Sequence, residues 1–147
     1  METTKQISVF LENKPGRLAN VLSALEREKV NVNGLTVMDS HEHSVLRLVT
    51  NDAAKTVQIL KSLGTPHTET EVLLIPLRNQ PGALAHVCEQ LAAEHINIDY
   101  CYVSANGRNG RTVGVFKVSN ADKAMRVLSQ PVHKVRRQMG RRPIHTR

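Results

Sequence analysis

The sequence predicts an α+β fold in which two βαββαβ units follow one another, each an antiparallel sheet with helices on one face. A tandem duplication, a recurring switch of hydrophobic period and the lack of a linker between the copies lead there. Residues 12–32 (ENKPGRLANVLSALEREKVNV) reappear, altered, as residues 78–98 (RNQPGALAHVCEQLAAEHINI). At this shift of 66, Asn13, Pro15, Gly16, Leu18, Ala19, Val21, Leu25, Glu28 and Asn31 meet Asn79, Pro81, Gly82, Leu84, Ala85, Val87, Leu91, Glu94 and Asn97. A second block, AAKTVQIL from Ala53, matches ADKAMRVL from Ala121 at a shift of 68. The two extra residues fall where the second copy has the Gly-rich stretch Asn106–Gly110, which a turn absorbs.

The elements follow in order. Ile7, Val9 and Leu11 alternate with Ser8 and Phe10, which predicts a short strand. Leu18, Val21, Leu22 and Leu25 then recur at helical spacing, and Leu84, Val87, Cys88 and Leu91 repeat the stripe. Val30–Met38 and Ser44–Thr50 read as strands joined by the polar turn Asp39–His43. Asn51-Asp52 supplies an N-cap for a shorter helix with Val57, Leu60 and Leu63 inward, and Glu71–Leu77 is again strand. No Gly/Ser/Pro-rich segment separates the copies, so the last strand of the first runs into the first strand of the second. The expected divisions are residues 1–70, residues 71–137 and a basic disordered tail at 138–147. The final strand of the second copy would come from Pro131–Arg137, where Val132 and Val135 are the apolar anchors.

Composition narrows the class of protein. The chain has 147 residues, 40% of them hydrophobic, and a mean hydropathy of -0.30. No apolar run approaches the roughly twenty residues that span a bilayer, and METTKQISVF lacks the charged start and apolar core of a signal peptide. The expectation is a cytoplasmic protein whose Cys88 and Cys101 are reduced and packed, Cys88 on the helical stripe and Cys101 where the first copy has Leu35. The net charge is +7, but Lys134, Arg136, Arg137, Arg141, Arg142 and Arg147 sit in the last 17 residues without an acid, leaving residues 1–130 at +1. A basic partner surface would therefore be an appendage.

The βαββαβ order hosts unrelated functions, so the site must carry the argument. An RNA-recognition module needs aromatic residues on its central strands, and Phe10, Phe116, Tyr100 and Tyr102 do not form that signature. Nucleic acid is not expected. A metal chaperone needs paired thiols in the first strand-to-helix loop, where this chain has Asn-x-Pro-Gly twice. His41 and His43 flank Glu42 in a hairpin without further ligands near in sequence, and Gly107 and Gly110 precede no helix, so neither metal nor dinucleotide is expected. No catalytic constellation and no cofactor motif is present.

The repeated turn is the positive signal. Pro15 and Pro81 are read in the first helical turn, where φ is preset. Gly16 and Gly82 admit a ligand to the backbone, and the helix N-terminus favours a carboxylate. Asn31 and Asn33 follow one helix, Asn97 and Asp99 the other, and an asparagine amide can serve both an ammonium and a carboxylate. Asparagine is also an ordinary turn residue; its presence in both copies adds the binding reading to that one.

On these residues the chain resembles a pair of ACT domains, ferredoxin-like regulatory modules that bind amino acids in many metabolic enzymes. Glu12-Asn13-Lys14-Pro15-Gly16-Arg17-Leu18 with Val30-Asn31-Val32 is similar to the serine-binding regulatory domain of 3-phosphoglycerate dehydrogenase, and the similarity covers roughly residues 5–130. It implies that Asn13 and Asn31, and likewise Asn79 and Asn97, contact a ligand across a domain interface. The candidate binding set is Asn13, Pro15, Gly16, Arg17, Leu18, Asn31 and Asn33 in the first copy, and Asn79, Gly82, Ala83, Leu84, Asn97 and Asp99 in the second. Ala83 in place of Arg17 and Asp99 in place of Asn33 make the two pockets chemically unequal. The implied function is a non-enzymatic, allosteric amino-acid sensor, as a homodimer or with a metabolic enzyme as partner. The alternatives are a regulatory small subunit such as that of acetolactate synthase, and an inert dimerisation module.

Overall fold

Ile7, Val9 and Leu11 share one face of β1 (Glu2–Glu12), and Leu73, Ile75 and Leu77 share the corresponding face of β4 (His67–Arg78). The computed structural model describes residues 1–39, 43–104 and 111–130. Between and after these two strands lie α1 (Arg17–Arg27), β2 (Val32–Asp39), β3 (His43–Thr50), α2 (Ala53–Ser62), α3 (Ala83–Ala93), β5 (Ile98–Ser104), β6 (Arg111–Val118) and α4 (Ala121–Leu128). The expected hairpin turn at Ser40–Glu42, the Gly-rich turn, the final strand at 131–137 and the basic tail lie outside the described residues.

The strands of both copies join one antiparallel six-stranded sheet, in the order β2-β3-β1-β4-β6-β5. β1 and β4 are each longer than their apolar alternation announces, because both halves are used. The first half of β1 pairs with β4 from Glu2↔Leu74 onward, and its second half pairs with β3. In β4 the first half pairs with β1 and the second half with β6. Lys5 is paired with Glu71, its own counterpart in the repeat, so a local two-fold axis passes between them. Thr70 and Glu71 are both inside β4, and the two copies share a continuous strand there.

All four helices cover one face. α1 and α2 pack on Ile7, Val9, Leu11, Leu46 and Leu48, and α3 and α4 on Leu73, Ile75, Leu77, Phe116 and Val118. Asp52 caps α2 through its carboxylate on the Lys55 amide at 2.9 Å, as the sequence suggests, and Asn120 caps α4 in the same way. Leu63, expected to face inward, is instead the C-cap of α2 and exposed, while Leu60 is buried and Val57 packs on the core as expected, with Thr56 and Ile59 buried beside them. The helix ends one residue too soon for position 63 to return to the sheet.

The helix-free face holds what the alternation pattern conceals. Gln6, Ser8, Val49, Val72 and Val115 are buried there, with Leu74 and Tyr102 packed against the three valines. They are covered because the sheet curls until its two edge strands meet. Ser104 Oγ in β5 donates to the Asn33 carbonyl in β2 at 2.7 Å, and a Cβ on Gly34 would lie 3.7 Å from Ser104, Tyr102 and Val115 side-chain atoms. Right-handed twist accumulated over six strands brings such edges together. Gln6 fills the polar centre: its Nε2 donates to the Tyr100 hydroxyl at 2.7 Å, and its Oε1 accepts from Tyr102 at 2.9 Å. The Arg47 guanidinium lies 3.7 Å from the centre of the Tyr100 ring and donates to Met38 Sδ, while its buried Nε is unpaired.

Burial pushes the Tyr102 phenol well above its ordinary range, with Tyr100 adding to the shift and Arg47 opposing it. An unfolded tyrosine ionises near pH ~10. The stability that neutral Tyr102 contributes is therefore complete below that pH and is lost as pH rises toward the folded value. Urea midpoints between pH 8 and 11.5 are expected to fall more steeply for the parent than for Tyr102→Phe. Equal slopes would place Tyr102 in solvent.

Candidate ligand-binding site

Each Asn-x-Pro-Gly segment forms a tight turn whose geometry explains its sequence. The Arg17 amide reaches the Lys14 carbonyl at 3.4 Å, and Gly16 has φ 85 and ψ -12. Ala83, Gln80 and Gly82 (φ 86, ψ -13) repeat this. Proline second and a left-handed glycine third define a type II turn. The helices begin at Arg17 and Ala83, so Pro15 and Pro81 precede the glycine N-cap and do not sit in the first helical turn as expected. No side chain caps either helix.

Within one copy the candidate asparagines do not converge. Asn13 lies at the end of β2, donating to Asp39 Oδ1 at 3.1 Å. Asn31 lies at the other end of β2, donating to Asn33 Oδ1 at 2.9 Å. A strand of this length separates them by roughly 23 Å. Asn97 and Asp99 form the equivalent pair, at 2.8 Å, beside β5. In both copies the second residue of the pair falls at a bulge, between Val32 and Gly34 in one and between Ile98 and Tyr100 in the other.

The two copies meet through the seam between β2 and β5. Pro76, Val113 and Ser104 form one row over β4, β6 and β5, a width of about 10 Å. Ser104 then holds the main chain of Asn33. The second turn (Asn79, Pro81, Gly82, Ala83, Leu84) thus shares one end of the molecule with Asn31 and Asn33. At the opposite end Arg47 touches both Met38 and Tyr100, which brings Asp39 and the first turn (Asn13, Gly16, Arg17, Leu18) toward Asp99 and Asn97. Ser104, Gln6, Tyr100 and Arg47 carry this arrangement and were not among the expected site residues.

Cavities adjoin candidate positions. One of about 500 Å³ runs between α1 and β2, with Leu22, Asn31, Val32 and Leu35 in its wall. Another, about 490 Å³, lies at the second turn, with Arg78, Gln80, Gly82 and His86 in its wall. Such volumes suit small metabolites. At the first turn the Lys14 ammonium and then the Arg17 guanidinium hold the Glu12 carboxyl below its usual range, at 3.0 and 3.3 Å. Cys88 packs against the second core as expected. Cys101 does not: it is exposed on the edge strand, as Leu35 is on the other edge. Among the described residues no three His, Cys, Asp or Glu side chains gather as a metal site, and no helix is long and apolar enough to cross a membrane.

These two βαββα units on one sheet define a paired α+β module. The chain belongs to the ACT domain pair family, whose model matches residues 2–136. It is similar to the crystal structure of protein BT0572 from Bacteroides thetaiotaomicron, with 38% identity, a TM-score of 0.80 and 86% of each chain covered. It shares its fold with the ligand-free regulatory subunit of aspartate kinase from Thermus thermophilus, at 16% identity and a TM-score of 0.65 over 87% of this chain and 95% of that one. The Thermus flavus regulatory subunit gives 16% and 0.58, over 86% and 93%. No curated protein sequence matches the chain.

Proposed function

We propose that this chain is a non-enzymatic, cytoplasmic amino-acid sensor, with each ligand held between the Asn-x-Pro-Gly turn of one copy and the pair that follows the helix of the other, Asn31–Asn33 or Asn97–Asp99. The observation that supports this is the seam, which puts the second turn and the Asn31–Asn33 pair at one end of the molecule, whereas within one copy turn and pair stand at opposite ends of β2. The amide of Asn79 and the side-chain oxygen of Asn31, whose nitrogen already donates to Asn33, suit the carboxylate and ammonium of a free amino acid, and the helix start beside the turn favours the carboxylate. Ligand bridging the seam would stabilise the closed sheet over any state in which β2 and β5 part, which gives a partner a difference to read.

The exposed apolar residues Leu35, Val37 and Val103 lie on the two edge strands. They favour a second element of the same reading, an interface for another copy or for a catalytic chain, as in a regulatory subunit. Thermal melts against the twenty amino acids, tested singly at millimolar concentration, decide the first point. At a hundred times its dissociation constant a ligand adds about 2.7 kcal/mol, and at least one amino acid is expected to raise Tm accordingly. If none does, the sensor reading fails and the subunit reading stands, to be checked by recovery of a stoichiometric catalytic chain.

A further inference from the structure

The two composite sites differ in charge in a consistent direction. Two carboxylates flank the first turn, Glu12, paired with Lys14 and Arg17, and Asp39, accepting from Asn13; Asp99 lies on the edge strand across the seam. At the corresponding positions of the second site the sequence has Arg78, Ala105 and Asn33. The cations of the first turn are replaced too, Lys14 by Gln80 and Arg17 by Ala83, and His86 stands where the first copy has Asn20. The first site is thus neutralised by its own acids, while the second has lost every one of them and gained an arginine.

Arg78 and His86 both line the 490 Å³ cavity, and neither has an ion-pair partner among the described residues. A guanidinium gives a carboxylate a charge-assisted, two-pronged hydrogen bond that an amide cannot match.

We infer that the second site is selective for an amino acid with an acidic side chain, whose extra carboxylate is received by Arg78 and His86 while its α-substituents meet Asn79 and the Asn31–Asn33 pair. This rests on the amino-acid reading of the turns and deepens it for one of them. The first site, with Glu12, Asp39 and Asp99 around it, disfavours the same ligand.

The test is calorimetric titration of the full chain with L-aspartate, L-glutamate, L-asparagine, L-glutamine and inorganic phosphate, in the parent, Arg78→Gln, His86→Gln and Glu12→Gln. One of the two acids is expected to bind the parent about tenfold or more tighter than its amide. Arg78→Gln should remove that preference while leaving amide binding in place, His86→Gln should reduce it, and Glu12→Gln, which removes an acid from the first site, should not weaken it. Arg78 is exposed and Gln retains its stem, so folding is checked by an unchanged melt without ligand. Equal affinity for acid and amide in the parent overturns the inference, as does an acid preference that survives Arg78→Gln. Phosphate binding at the same site as tightly as the acid overturns the amino-acid class and leaves a general oxyanion site. If another amino acid binds and neither acid does, this inference alone fails; if no amino acid binds at all, the sensor reading falls with it.

Discussion

Phe116→Ala is expected to destabilise the protein by about 3–5 kcal/mol, the range for removing a fully buried aromatic side chain. Phe116 has no exposed surface and is the largest buried side chain of the molecule's described part. It stands between Leu73 on β4 and Cys101 on β5, facing α3 and α4. Its ring fills the space that Gly114 leaves, since a Cβ there would come within 2.5 Å of Phe116 Cε2. Truncation therefore opens a void flanked by a glycine that cannot close it. The loss should appear in the urea midpoint with an unchanged m-value. A loss below ~1 kcal/mol would mean that the second helix pair is not seated on this strand. Leu63→Ala, at the exposed helix end, serves as the control with little change.

Gln6→Ala should cost about 2–4 kcal/mol, although the residue is polar. Its removal strands the Tyr100 and Tyr102 hydroxyls under the curled sheet, and each buried group left without a partner costs about 1–3 kcal/mol. Combining Gln6→Ala with Tyr102→Phe should cost less than the two changes added, because the second removes a group the first has already orphaned. Strict additivity would show that the two edges of the sheet do not close over Gln6 in solution. Because Gln6 lies in β1 and the tyrosines in β5, this cycle also reports on the seam itself.

Much of the fold was legible because it rests on local signals. The repeat, the stripe Leu18, Val21, Leu22, Leu25 and its copy, and the Asp52 cap each act within a few residues. The closure of the sheet was not legible. Gln6 and Ser8 read as the solvent side of an alternating strand, and only the meeting of β2 with β5, some 70 residues apart, makes that side an interior. The same non-local event sets the ends of the molecule: the turns and the Asn31–Asn33 and Asn97–Asp99 pairs stand out in sequence, but which turn shares an end with which pair depends on the seam. Ser104 carried no local mark. Arg78 did carry one, as the basic counterpart of Glu12 in the repeat, and comparing the copies position by position for charge as well as for identity exposes it. Pro15 was misplaced because a proline before glycine fits both a helix start and a type II turn, and the left-handed φ of Gly16 decides between them.

In the proposed site, turn and asparagine pair act together across the copies and not within one. Once an amino-acid ligand is in hand, a thermodynamic cycle on its affinity between Asn79→Ala and Asn31→Ala tests this most directly. The two changes should be coupled, with the double variant losing less than the sum of the singles by about 1 kcal/mol or more, while Asn13→Ala and Asn31→Ala, at opposite ends of β2, should add. Coupling between Asn13 and Asn31 with additivity between Asn79 and Asn31 would contradict the account, and would mean that each copy binds its ligand alone.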